Sequence, residues 1–282
     1  MRSVFRFSTV AIATVLLSTN GEARSPDPQA IPFEMRGGHI VVQAYVNGSG
    51  PFLFGFDTGA SGIGRADVRL AAELALPKVG EEQNSDGIKT VSSDVVSVDR
   101  LRLGPVEKRN VRLLSRNYND TRTSPPFLMG IVGRDFFADW MLTIDYAQRT
   151  LTFTHGRLSS RRAGVVRYGP RFRIPVCIGR TCLDGKLDTG SSRGLVLPKE
   201  VALANATGGA KHLGTVQRMN SVAELYEVQL NVPIKVGGTV AWRPRVLYAD
   251  PSDDSVNVGS DFLKDYVVTI DQRHNLLRIS SP

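Results

Sequence analysis

The chain has 282 residues, 41% of them hydrophobic, with 27 glycines and 15 prolines. That is enough apolar material for one large core or two small ones, and it excludes a wholly disordered chain. The formal net charge of +8 is carried by 27 arginines and eight lysines interspersed with acids, so it implies a solvated arginine-rich surface rather than a nucleic-acid partner.

The first segment, residues 1–23, reads as a secretory signal peptide. Arg2 and Arg6 give it a positive start, Val10 to Leu17 form a short apolar run, and Gly21-Glu22-Ala23 is a small-x-small cleavage site. The mature protein is therefore expected to begin near Arg24 and to be periplasmic or secreted. Membrane contact is expected only if this segment stays uncleaved, because its apolar run is short for a bilayer span.

Short alternating runs follow, "HIVVQAYV", "PFLFGF", "VVSVDRLRL", "NVRLL", "WMLTIDY" and "TLTF", and later "RIPVCI", "YEVQLNVPIKV" and "YVVTID". This is strand periodicity with turn residues between. Helix is expected at 65–76 and 198–206 only, with one or two helical turns in "GRDFFADW" and "GSDFLKDY". Asp135 and Asp261, at the starts of those turns, are expected to cap them, and Asp145 and Asp271 to be turn residues. The Gly-, Ser- and Arg-rich stretch 154–170 marks a join, placing lobes at about 31–158 and 165–282.

Cys177 and Cys182 are the chain's two cysteines. In an exported protein they are expected to bond across a hairpin whose tip is Ile178 to Thr181. One such pair is not a zinc pattern, and the four histidines (His39, His155, His212 and His274) show neither metal-ligand nor triad spacing. No metal or other cofactor is expected.

The two halves repeat one another. Residues 46–59 align without a gap on residues 177–190, at an offset of 131. Residues 132–153 align on 258–279 at an offset of 126, with nine of 22 positions identical. Both copies carry Asp-Thr-Gly after an apolar residue, in "FDTGAS" (Phe56 to Ser61) and "LDTGSS" (Leu187 to Ser192). A turn explains Asp and Gly at such a place, but not the same Thr in both copies. A two-fold repeat brings equivalent loops together at its axis, so Asp57 and Asp188 are expected to meet there. Two carboxylates that close share one proton and titrate as a pair.

These loops, with "IVGRDFF" and "VNVGSDFL" behind them, resemble the aspartic proteases of retropepsin and pepsin type. The resemblance covers nearly the whole mature chain. It implies an all-β fold of two homologous β-barrel lobes related by a pseudo-two-fold axis, and endopeptidase activity on polypeptides through Asp57 and Asp188. It also implies that Thr58 and Thr189 bond across the axis and that Gly59 and Gly190 let backbone N–H groups approach the carboxylates. Ala60, Ser61, Ser191 and Ser192 complete the loops. Ser191 can reach an outer carboxylate oxygen and Ala60 cannot, so the aspartates should differ in basicity, with the bearer of the proton left open. Such enzymes cover substrate with hairpin flaps, here about 79–93 and 209–224. Neither stretch holds an aromatic, which leaves Gly87, Ile88 and Met219 as contact candidates. A monomer is expected, with an obligate dimer as the rival. A peptide-binding module that kept the cleft but hydrolyses weakly or not at all is the alternative function.

Overall fold

A computed structural model describes residues 29–85, 90–120, 126–217, 222–252 and 254–282. Strands dominate them, and the three α-helices (Val68–Glu73, Lys199–Ala204 and Ser260–Leu263) have at most six residues each. The strands form sheets of eight, nine and six. In the first lobe, the strand His39–Val46 pairs with Ser49–Phe56 and also with Thr90–Leu103, closing the eight-stranded sheet into a barrel. Alternation drives this: along His39–Val46 the apolar Ile40, Val42, Ala44 and Val46 are fully covered, while Gln43 is exposed.

The second lobe repeats the main elements of the first. Ser49–Phe56 corresponds to Thr181–Asp188, Gly130–Val132 to Val256–Gly259, and Met141–Asp145 to Val267–Asp271. In each lobe the strand leading to Asp-Thr-Gly runs parallel to the later apolar strand, with Phe56 opposite Val132 and Asp188 opposite Gly259.

Both lobes contribute to the six-stranded sheet. At its centre Met141–Asp145 pairs antiparallel with Val267–Asp271, and Thr143 stands opposite Thr269, its own counterpart in the repeat. The flanking pairs are exchanged, Leu142 with Ile270 and Ile144 with Val268. This pattern places the pseudo-two-fold axis between Thr143 and Thr269. The core crosses the lobes as well: Phe56 stacks on Phe137 at 5.6 Å, and Phe137 on Phe172 at 6.0 Å. Such pairs add roughly 0.5–1.5 kcal/mol each to their area burial.

Several local expectations need correction. The helix at 65–76 is shorter, because Arg65 to Asp67 belong to the strand Gly64–Asp67. Asp67 then caps the helix through the Arg69 N–H and also accepts from Tyr118 N and Asn119 Nδ2, which holds it extended. Asp135 and Asp261 cap nothing. Glycines 133 and 259 take the cap positions, while Asp135 accepts from Gly62 N (3.1 Å) and Asp261 pairs with Lys264 (2.6 Å). The segment "YEVQLNVPIKV" is broken after Leu230, and Pro233, which has no N–H for a ladder, precedes the strand Ile234–Val236. The cysteine hairpin is tighter than expected, since Ile178 and Thr181 are themselves paired and the tip is Gly179-Arg180. Cys177 and Cys182 face each other across it and are bonded.

Candidate active site

Each loop is set by its own backbone. Asp57 N donates to Val132 O (2.9 Å), anchoring the end of the strand Ser49–Phe56. The chain then turns at once, and Gly59 N (2.7 Å) and Ala60 N (3.1 Å) both donate to Asp57 Oδ1. In the second lobe Gly190 N donates to Asp188 Oδ1 (3.2 Å) and Ser191 N to Asp188 O (3.1 Å).

The two threonines tie the loops together. Thr58 N donates to Thr189 Oγ1 (3.0 Å), and Thr189 N donates to Thr58 Oγ1 (3.0 Å). Each hydroxyl then donates onward across the axis, Thr58 to Leu187 O (3.1 Å) and Thr189 to Phe56 O (2.9 Å). Both threonines are fully covered, so no water competes for these bonds. Held this way, Asp57 and Asp188 are hydrogen-bonded to each other. The approach depends on glycine. A Cβ on Gly59 would fall within the Asp188 carboxylate, and one on Gly190 within that of Asp57.

The pair is electrostatically lopsided. Burial pushes the Asp57 pKa up to about 7, and the neighbouring Asp188 charge pushes the same way, against Lys186 and the Gly59 N–H. Burial also acts upward on Asp188, but the charge and hydrogen bond of Lys186, with the bonds from Asn257 and Asp57, hold it below the usual carboxylate range. Both shifts point the same way, favouring the protonated form at Asp57 and the ionised form at Asp188.

Lys186 and Asn257 are the residues that sequence reasoning missed. Lys186 Nζ lies 2.8 Å and Asn257 Nδ2 2.9 Å from Asp188 Oδ2. Ser191, expected to bond that carboxylate, instead accepts from Arg193 N (3.4 Å). A signal was present: strand alternation puts positions 186 and 188 on one face, and the repeat sets Lys186 against Gly55. His39 begins a strand, as expected, but also hydrogen-bonds to the backbone of Gly190. Burial lowers its pKa, opposed by that bond and by Asp188.

Of the remaining loop residues, Ala60 is buried, and Ser61 Oγ accepts from Arg65 Nη2 (3.1 Å). Ser192 packs against Gly38, where any side chain would collide with it. Arg134 Nη1 braces the first loop through Gly59 O (3.1 Å). Two long hairpins rise from the lobes, Lys78–Ser85 with Thr90–Leu103 and Ala206–Gln217 with Val222–Leu230. Gly87, Ile88 and Met219 lie outside the described residues.

A search of curated proteins finds no match to the chain. Residues 42–136 match the family model described as aspartyl protease. That segment contains the first Asp-Thr-Gly and the "IVGRDFF" strand behind it, the parts that build one half of the site. On this match the first lobe is similar to aspartyl proteases, and the second lobe repeats its Asp-Thr-Gly strand arrangement around the same axis.

Proposed function

We propose that the protein is an exported endopeptidase in which Asp57 and Asp188 together activate a water molecule against a peptide bond. The observation that carries this reading is the mutual approach of the two carboxylates, held by the threonine cross-bonds. In this scheme ionised Asp188 removes a proton from water as the oxygen attacks the scissile carbonyl carbon. Asp57 donates its proton to the carbonyl oxygen, giving a neutral tetrahedral diol. Asp188 then gives the proton it took from water to the amide nitrogen, the C–N bond breaks, and one diol hydroxyl returns its proton to Asp57, which restores the singly protonated pair. Aspartic proteases are the established example of such a shared-proton pair.

Export is supported by the Cys177–Cys182 disulfide, which persists in an oxidising compartment, and by the leader-like pattern of residues 1–23. One observation favours a second reading, a peptide-binding module without turnover: the ion pair with Lys186 makes Asp188 a weaker base. Incubation with an unfolded polypeptide from acidic to neutral pH separates the two. Cleavage by the wild type that is lost in both Asp57→Asn and Asp188→Asn supports the protease. Cleavage that survives both substitutions overturns it, and binding without cleavage by the wild type favours the module.

A further inference from the structure

The aspartate pair lies on a pseudo-two-fold axis, so its two halves would be equivalent if their surroundings were. They are not. Behind Asp57 the parallel strands place Gly55 opposite Ile131. At the same register behind Asp188, Lys186 stands opposite Asn257. The repeat offsets map Gly55 onto Lys186 and Ile131 onto Asn257. One cross-strand pair has thus become polar and cationic in one lobe only, and both new side chains converge on the same oxygen, Asp188 Oδ2.

We propose that Lys186 and Asn257 form a one-sided clamp that keeps the charge of the pair on Asp188 and the proton on Asp57, giving the two aspartates fixed, non-interchangeable roles. This rests on reading the two as the reacting pair. Lys186 and Asn257 are positioning residues, since they act through Asp188.

Three features support the clamp. An ammonium in contact with a carboxylate favours its ionised form, and Lys186 is only about one-third exposed, so water screens the pair weakly. Asn257 gives its amide N–H to the same oxygen, while its own Oδ1 is buried and accepts no bond. An amide facing a protonated carboxyl could turn and accept from it; this orientation suits an anion. The other charges near the pair do not supply the asymmetry. His39 faces Asp188 but is pushed towards its neutral form by burial. Arg193 acts on His39, and Arg134 and Tyr118 lie on the Asp57 side, where Arg134 is engaged with Gly59 O. Among the described residues, Lys186 is the cation in direct contact.

The consequence is a working range displaced to lower pH. Asp188 stays ionised in acid, so the singly protonated pair forms earlier than it would without the clamp. Lys186→Met keeps the side-chain length and removes the charge, and Lys186→Arg keeps the charge. The pH profile of kcat/KM on a peptide substrate should move its acid limb upward by about 1–3 units in Lys186→Met. It should move less in Asn257→Leu and stay near the wild-type position in Lys186→Arg. A side chain of merely structural value would lower the rate at every pH and leave the limb in place.

A second readout does not need turnover. Carbon-13 titration of the aspartate side-chain carboxyls, with Asp57 and Asp188 identified through their Asn variants, reports both groups directly. In the wild type Asp188 should titrate below Asp57, and Lys186→Met should narrow the gap. If the wild type does not cleave peptides, the protease reading fails and this titration still judges the clamp. If the wild type cleaves but Lys186→Met moves neither limb nor resonance, the clamp is overturned and the protease reading stands.

Discussion

Thr58 and Thr189 are reciprocal partners, each accepting from the other's backbone N–H and donating to a carbonyl in the opposite lobe. Four hydrogen bonds therefore link two loops 131 residues apart, in a space closed to solvent. Replacing Thr58 with Val keeps the shape but leaves Thr189 N and Leu187 O without partners. Orphaned buried groups cost about 1–3 kcal/mol each, so a loss of roughly 2–6 kcal/mol is expected. Thr58→Ser retains the hydroxyl and should lose much less. Chemical denaturation of both variants checks this; equal stabilities would show that the cross-bonds contribute nothing.

Gly59 and Gly190 are needed for proximity. A methyl at either position would occupy the space of the opposite carboxylate. Gly59→Ala and Gly190→Ala are therefore expected to force the aspartates apart and abolish peptide cleavage, while the sheets remain folded. Circular dichroism beside a cleavage assay tests this. A folded alanine variant with wild-type activity would contradict the close approach.

Much of this arrangement was legible in the chain. The doubled Asp-Thr-Gly, the repeat offsets and the alternating strands announced a two-lobed β fold, and Thr143 opposite Thr269 is that repeat expressed as symmetry. What the sequence hid was register. Asn257 reaches Asp188 across 69 residues because two parallel strands happen to align there, and no local pattern encodes that alignment. Capping was misread for a related reason. Asp135 has the composition of a cap, but the Gly62 N–H, supplied by a loop 73 residues away, is its actual partner. Short polar side chains take the donor that the tertiary fold presents.

The Cys177–Cys182 bond closes a small loop at the tip of the hairpin that leads to Lys186 and Asp188. For so short a loop the chain-entropy relation gives roughly 2 kcal/mol. Mass spectrometry without reductant should find no free thiol. Cys177→Ser with Cys182→Ser, or reduction, should lower Tm by roughly 4–8 °C. Two free thiols in protein recovered from an oxidising compartment would refute the pairing.

Asp57 makes stability depend on pH with a definite sign. Its pKa rises on folding from 3.8 to about 7, so between those values the native state binds more protons than the unfolded state. Stability contributed by Asp57 therefore falls as pH rises through that window, whereas Asp188, held low, loses its contribution only as pH falls into the acid range. Asparagine at position 57 mimics the protonated acid, because its amide N–H can still donate to Asp188. Asp57→Asn should match the wild type in stability near pH 4 and exceed it near pH 8, by roughly 2–4 kcal/mol. Thermal melts of both proteins across that range measure the difference. A stability gap that stays constant with pH would mean that Asp57 does not carry the buried proton.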